Sequence, residues 1–492
     1  MSARYLRSAA ALATLALVLA CNTSGAGKGS GQRRVTPDEP WRQARPPSGP
    51  VPELQLPAVQ RADLKNGLTV LVIEDHSLPL VSARVVVRAG AAQESAKDAG
   101  LAALTWDLID EGAGAMNQLA LANALAQIGA ELRTGGDLEC GAAELEVARE
   151  QAEAGLKLLA AVVTKPTFGA ADFERVRDQA LLRAKERQGD ARVVSDTLTN
   201  ALVFGSEHPY GHDAAGTADT IGKLSALKVR AFWSTYAAPR NAALILAGDV
   251  TLEQAKALAF KAFGGWAGSG RAPKAPAEPT PRNALTLATV DYPGATQTAV
   301  RIGRAGLAAS DADLPALLVL NAVLGGTRSS RLNVKLREEK QWTADARSEQ
   351  ATALGRGPWL VKAEVQSDAA ADAVAEALAQ IEAIKTGITD DELLRAKEGW
   401  ARALPGRLGA PADQARALGD AFAQGFDADM VVKVAEAVRA VTADDIKRVA
   451  ERVLVKEDLV VVLAGDRAAL TAKLKEKGLP DPLQFGRDGY PE

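Results

Sequence analysis

The chain has 492 residues, 47% of them hydrophobic and 24% charged, with 58 basic side chains against 61 acidic ones. That length exceeds a single ordinary core and predicts at least two domains. A net charge of −3, with no block of basic residues, supplies none of the concentrated positive potential that nucleic acid requires, so nucleic acid is set aside as a partner.

In chain order, Arg4 and Arg7 precede an apolar run from Ala9 to Ala20, a charged region and an apolar region of signal-peptide length, too short to span a bilayer comfortably. Residues 1–20 are therefore expected to be a signal peptide. The run ends Val18-Leu19-Ala20-Cys21, which resembles a bacterial lipobox, and the expectation is a diacylglycerol on Cys21. Asn22 resembles the signals that permit export to the outer membrane, so the expected place is the cell envelope, lipid-anchored on the periplasmic side of that membrane. Lipidated Cys21 leaves Cys140 without a partner and implies no disulfide. Residues 21–57 are rich in Gly, Ser, Pro, Arg and Gln and read as a tether. The Gly-rich run at 25–30 has no strand before it and no helix after it, as a phosphate loop would need.

Folded sequence begins near Leu64. The turn Lys65-Asn66-Gly67 opens a β-branched strand, Leu68–Glu74, and a second strand, Leu80–Ala89, follows. Asp98–Ile109 and Asn117–Ile128 carry apolar residues at helical spacing, 132–147 alternates like strands, and Gln151–Val163 and Ala170–Gln188 return to helix. Asn241–Gly248 is a further strand. Four prolines between Arg271 and Arg282 can continue neither element, so residues 271–285 are expected to link a domain at 58–270 to one at 286–492. Leu246-Ala247-Gly248-Asp249 recurs as Leu463-Ala464-Gly465-Asp466, and the charged helix opening at Asp172 recurs at Asp390, both at nearly one offset. The repeat is thus a whole domain. The predicted class is α+β: two homologous domains, each a mainly antiparallel sheet packed against helices.

Lys65-Asn66-Gly67-Leu68, Asp98-Ala99-Gly100-Leu101, His208-Pro209-Tyr210-Gly211, Leu246–Asp249, Gly325-Gly326-Thr327-Arg328 and Leu336-Arg337-Glu338-Glu339 stand in this order. The series resembles the insulinase, pitrilysin and mitochondrial-processing-peptidase family of inverted zincins. In that family His-x-x-Glu-His places two zinc ligands one helical turn apart, with the glutamate as base toward the bound water. The resemblance puts Ala103 at the first ligand, Trp106 at the base and Asp107 at the second ligand. The third ligand falls at about Leu182-Arg183. The chain's three histidines, His76, His208 and His212, cannot rebuild the motif elsewhere. His208 and His212 are interrupted by Pro209 and Gly211 and read as part of a turn; Asp107, Asp110 and Glu111 could attract at most a weak cation. Cys140, in a strand-like stretch, reads as a small buried hydrophobe. No metal, no cofactor and no catalytic residue are expected.

The resemblance also implies substrate contacts in the second half. Arg337 stands at an arginine that binds substrate, with Ala344 where a tyrosine would help to stabilise an oxyanion. Arg337 is equally readable as a surface partner of Glu338 or Glu339. Gly325-Gly326 reads as a flexible segment near substrate or, equally, as the turn into a helix from Ser330. The implied function is the zinc-less subunit that pairs with a homologous zinc peptidase, or with itself, to bind and process peptides. Two alternatives stay open: a peptide-binding or scaffolding lipoprotein without a peptidase partner, and a peptidase with a non-standard site.

Overall fold

The computed structural model describes residues 58–492 together with Glu39, Gly49 and Pro50. The chain divides at residue 50, and the fold is that of the unit 51–492. The expected signal peptide and Cys21 lie outside the described residues, as does the expected tether apart from Glu39, Gly49 and Pro50.

Within the second unit the strands run β1 (Val59–Asp63), β2 (Thr69–Glu74) and β3 (Leu80–Val87), then a short antiparallel pair, β4 (Gly112–Ala113) and β5 (Met116–Asn117). They continue with β6 (Glu131–Gly136), β7 (Gly141–Ala148) and β8 (Ala242–Gly248). One six-stranded sheet has the order β1-β2-β8-β3-β7-β6, antiparallel except where β2 meets β8. The second half repeats it with β9 (Thr286–Asp291), β10 (Gln297–Ala305), β11 (Thr343–Gln350), β12 (Pro358–Gln366), β13 (Val460–Gly465) and β14 (Leu483–Phe485). Its order is β11-β12-β10-β13-β9-β14, parallel only at β9/β13 and β9/β14. The register repeats too: Thr69 faces Ala243 and Thr286 faces Val460, while Arg84 faces Ile245 and Arg301 faces Val462, every member shifted by 217 positions.

Strands β8 and β13 are buried at every residue, as continuous apolar runs are when both faces of a sheet are covered. Side chains alternate between the faces. Val70, Val72, Leu244 and Leu246 enter the core under the first half's own helices, whereas Leu71, Ile73, Ala243 and Ile245 pack against Ala415, Leu418 and Ala423. Those three residues belong to the helix Pro411–Ala423, which comes from the second half. The loan is returned: Val194 and Leu198, of the helix Ala191–Phe204, pack against Val460, Val462 and Ala464 of β13. Charge reinforces both loans. Arg416 on the first borrowed helix bonds Glu144 of β7 at 2.8 Å, and Asp196 on the second pairs with the buried Arg301 of β10.

The helix expected over Asp98–Ile109 is shorter, Leu101–Trp106. Gly100, immediately before it, has φ +92°, a left-handed conformation that a right-handed helix cannot pass through, and a Cβ there would meet Gly216 Cα at 2.9 Å. Residues 96–98 form a separate single turn.

Candidate functional site

The start of the helix Leu101–Trp106 is fixed by Glu94. Its buried carboxylate accepts hydrogen bonds from Gly100 N at 2.8 Å and Ala102 N at 2.6 Å, so it satisfies amide groups that a helix N-terminus leaves open. His212 Nε2 stands 3.4 Å from the same carboxylate. Burial pushes the Glu94 carboxyl above its ordinary pKa, against the lowering effect of His212 and the two amides.

Ala103 lies on this helix with a methyl group where a ligand would have to stand, and nothing on it can bind a cation. Trp106 is fully buried. Its indole N–H donates to Ala89 O at 2.9 Å, and its ring meets Trp233 edge-on with centroids 5.2 Å apart. Beneath the ring β6 and β7 carry glycines: a Cβ at Gly136 would come within 2.7 Å of the indole, and one at Gly141 within 1.8 Å. The ring therefore lies in direct contact with the sheet backbone, at the position that the resemblance assigns to the base. Asp107, at the helix end, accepts a 2.6 Å hydrogen bond from Arg183 Nη2 on the helix Ala170–Arg187, while Leu182 beside it points outward and is exposed. The positions assigned to the second and third zinc ligands thus hold an anion and a cation that neutralise each other. A methyl group, a donor-only indole and a guanidinium do not fit zinc.

The neighbouring acids do not assemble a cation site either. Glu111 is bonded to Arg175, and Asp110, whose carboxyl burial pushes up, contacts Thr134 Oγ1 at 3.3 Å. Among the described residues, no group of three His, Cys, Asp or Glu side chains is placed to hold a metal ion. His208 uses both ring nitrogens on the backbone, accepting from Tyr210 N at 3.0 Å and contacting Ala277 O at 2.9 Å. Cys140 is buried at the seam with the helix Pro411–Ala423, and burial raises its thiol pKa well above the ordinary value.

In the second half Arg337 lies in a wide π-helical segment, Asn333–Glu339, paired with Glu338 at 3.0 Å. Gly325 and Gly326 end the helix Leu314–Leu324, and a Cβ on Gly325 would come within 2.3 Å of Ser348 N on β11, so close packing is what requires glycine there. Ala344 is exposed at the irregular start of β11. Just beyond these glycines the buried Asn333 side chain donates to Thr327 O and Ala346 O and accepts from Ala346 N, clamping the turn to β11. The sequence reading missed Asn333 and Glu94; an acid a few residues before a helix start was the one available signal for the latter.

Residues 69–209 match the family described as Insulinase (Peptidase family M16), and residues 223–399 match Peptidase M16 inactive domain. An uncharacterized zinc protease of Mycobacterium leprae is 28% identical over 286 residues, 57% of this chain; the chain spans 63% of that relative's length. A protein of Helicobacter pylori described as a non-peptidase homolog is 22% identical over 202 residues, covering 41% of this chain and 46% of its own. The crystal structure of a peptidase M16 inactive domain from Pseudomonas fluorescens superimposes with a TM-score of 0.77 at 25% identity, over 83% of this chain and 98% of that one.

Proposed function

We propose, from the premise that this chain belongs to the insulinase family of peptidases, family M16, that it is a non-catalytic subunit which binds peptides and pairs with a zinc-bearing homologue. The observation that carries the reading is the state of the helix Leu101–Trp106: an indole packed on Gly136 and Gly141, and an Asp107–Arg183 ion pair where ligands would be. Function belongs to the site more than to the fold, and this site has lost the groups that polarise water. What remains suits peptide binding. Strand β6 is the edge of its sheet and ends in Gly135-Gly136, and a 240 Å³ hollow lies over the sheet beside it, lined by Arg133 to Gly136 of β6, Gly141 and Glu144 of β7 and Arg84 of β3. An edge strand offers unpaired backbone groups to an extended peptide. Arg337, Gly325 and Gly326 would be the second half's contribution. Anchoring through lipid on Cys21 would place the pair in the cell envelope, on the periplasmic side of the outer membrane.

Metal analysis of the purified protein, together with cleavage of an unstructured peptide with and without added zinc, tests the first part. No zinc and no cleavage are expected; stoichiometric zinc with chelator-sensitive cleavage would overturn the reading. Sedimentation with the zinc-bearing homologue tests the second, where two separate monomers would rule out the pairing.

A further inference from the structure

The joint between the two halves holds a buried acid that plays no part in the site described above. Glu139, 5% exposed, sits in the turn 137–140 between β6 and β7. Its Oε1 accepts from the Tyr210 hydroxyl and from Leu354 N at 3.0 Å, and the same hydroxyl accepts from Gly355 N at 3.0 Å. Leu354 and Gly355 lie in the turn 351–357 between β11 and β12, the counterpart of 137–140 in the second half. The hairpins that carry the outer strands of both sheets are thus tied turn to turn through one carboxyl and one hydroxyl. The other carboxyl oxygen, Oε2, is buried with no hydrogen-bond partner.

The charged and titratable surroundings matter for what this group does. In its own turn Asp137 accepts from Glu139 N and Cys140 N, both at 2.9 Å, and puts a second negative charge nearby. The loop before Gly211 contributes Tyr210 and His208. His208 Nδ1 accepts from Tyr210 N and its Nε2 contacts Ala277 O, so both ring nitrogens are already occupied on the backbone. From the 351–357 turn the guanidinium of Arg356 is spent on Gly306 O, Ala305 O and Glu278. An ionised Glu139 is therefore a buried anion stabilised by one hydroxyl and one amide, with no cation bonded to it, an expensive arrangement in a low-dielectric joint.

We propose that Glu139 is a proton-sensitive latch between the two halves: protonated, it holds the turns 137–140 and 351–357 together, and ionised, it loosens them. Burial, the largest influence on this carboxyl, raises its pKa above the ordinary value, with a smaller push from Asp137, and outweighs the lowering effect of the Tyr210 and Leu354 hydrogen bonds. The folded state therefore holds the proton more tightly than the unfolded state does. The latch is fully engaged below the ordinary carboxylate range, and its contribution falls as pH rises from there through the raised value.

The inference is independent of the pairing with a zinc peptidase. Thermal unfolding of the full chain and of Glu139→Gln, from pH 4 to pH 8, tests it. The amide keeps an acceptor for both donors and cannot ionise, so the variant's Tm is expected to pull ahead of the wild type as pH rises, by on the order of a few degrees. Parallel curves would overturn the proposal. Hydrogen exchange of the 351–357 segment in the wild-type chain gives a second readout that needs no variant. Protection of the Leu354 and Gly355 amides, corrected for intrinsic rates, is expected to fall across the same pH range, and constant protection would also overturn it.

Discussion

Both halves close the space between sheet and helix with an indole, but from opposite sides. In the first half Trp106 reaches down from the helix, and the strand position beneath it, Gly141, paired with Val87, has no side chain. In the second half the matching strand position, paired with Arg304, is Trp359, fully buried, and its N–H donates to Asn321 Oδ1 at 2.8 Å on the helix Leu314–Leu324. A zinc site needs polar ligands around an open coordination position. Here the half to which the resemblance assigns the metal has reached the same packed solution as the half to which it assigns none. On the proposed reading, the indole at the position of the base is the same group that completes the core at Trp106.

The comparison is broken most decisively by deleting each indole. Trp106→Ala and Trp359→Ala are each expected to cost about 3–5 kcal/mol in denaturant unfolding, the range for emptying a fully buried aromatic site. Comparable losses would support equivalent roles for the two rings; a loss near zero at Trp106 would mean that the indole merely covers a gap. Next in size is Gly141→Ala, whose methyl collides with the ring and is expected to cost about 1–3 kcal/mol. Combined with Trp106→Ala the penalty should largely vanish, because the collision partner is gone. Simple additivity in that cycle would show that the glycine is required for backbone reasons alone.

Much of this fold is legible in the sequence because duplication leaves marks that local patterns can carry. The offset of Leu246–Asp249 is the 217-residue shift that the strand register repeats, that of the helix at Asp172 is within one residue of it, and Arg84 and Arg301 stand at the 217-residue interval. The exchange of helices is not legible. The amphipathic pattern of 191–204 announces that a face is buried, but no local feature says that it is buried on the other half's sheet. The curtailed helix after Gly100 is a matter of one positive φ, which a glycine permits and does not announce. At the site the substitutions at 103, 106 and 107 can be read one by one. That Gly136 and Gly141 make room for the indole, and that Arg183 neutralises Asp107, are pairings across 30 to 76 residues which only the packed chain reveals.

A smaller effect separates the halves in acid. Glu392, in the second half, is gripped by Arg331 through two bonds of 2.7 and 2.9 Å, and this guanidinium holds the carboxyl down at about 2. A depressed carboxylate stabilises the folded state above its ordinary pKa and loses that contribution as pH falls toward the folded value. Unfolding midpoints of the wild type are therefore expected to drop between pH 4.5 and pH 2, and Glu392→Gln should flatten part of that drop while lowering stability at neutral pH. An unchanged acid limb would assign it to other carboxylates, such as Asp445, which Thr442 and Arg448 also hold at about 2.

The smallest expected effect is at the ion pair that stands where the metal ligands would be. Asp107 and Arg183 are 39% and 51% exposed, so solvent screens them, and exposed pairs contribute about 0–1 kcal/mol. Asp107→Asn, Arg183→Gln and the double variant should all unfold within about 1 kcal/mol of the wild type, with whatever coupling remains shrinking in high salt. If the pair instead proved strongly coupled, the two helices would depend on a charge cross-link at the position a metal would take. The contrast between the halves would then be one of brace as well as of packing. A coupling near zero leaves Trp106 as the residue that closes the site and the ion pair as the neutral surface left above it.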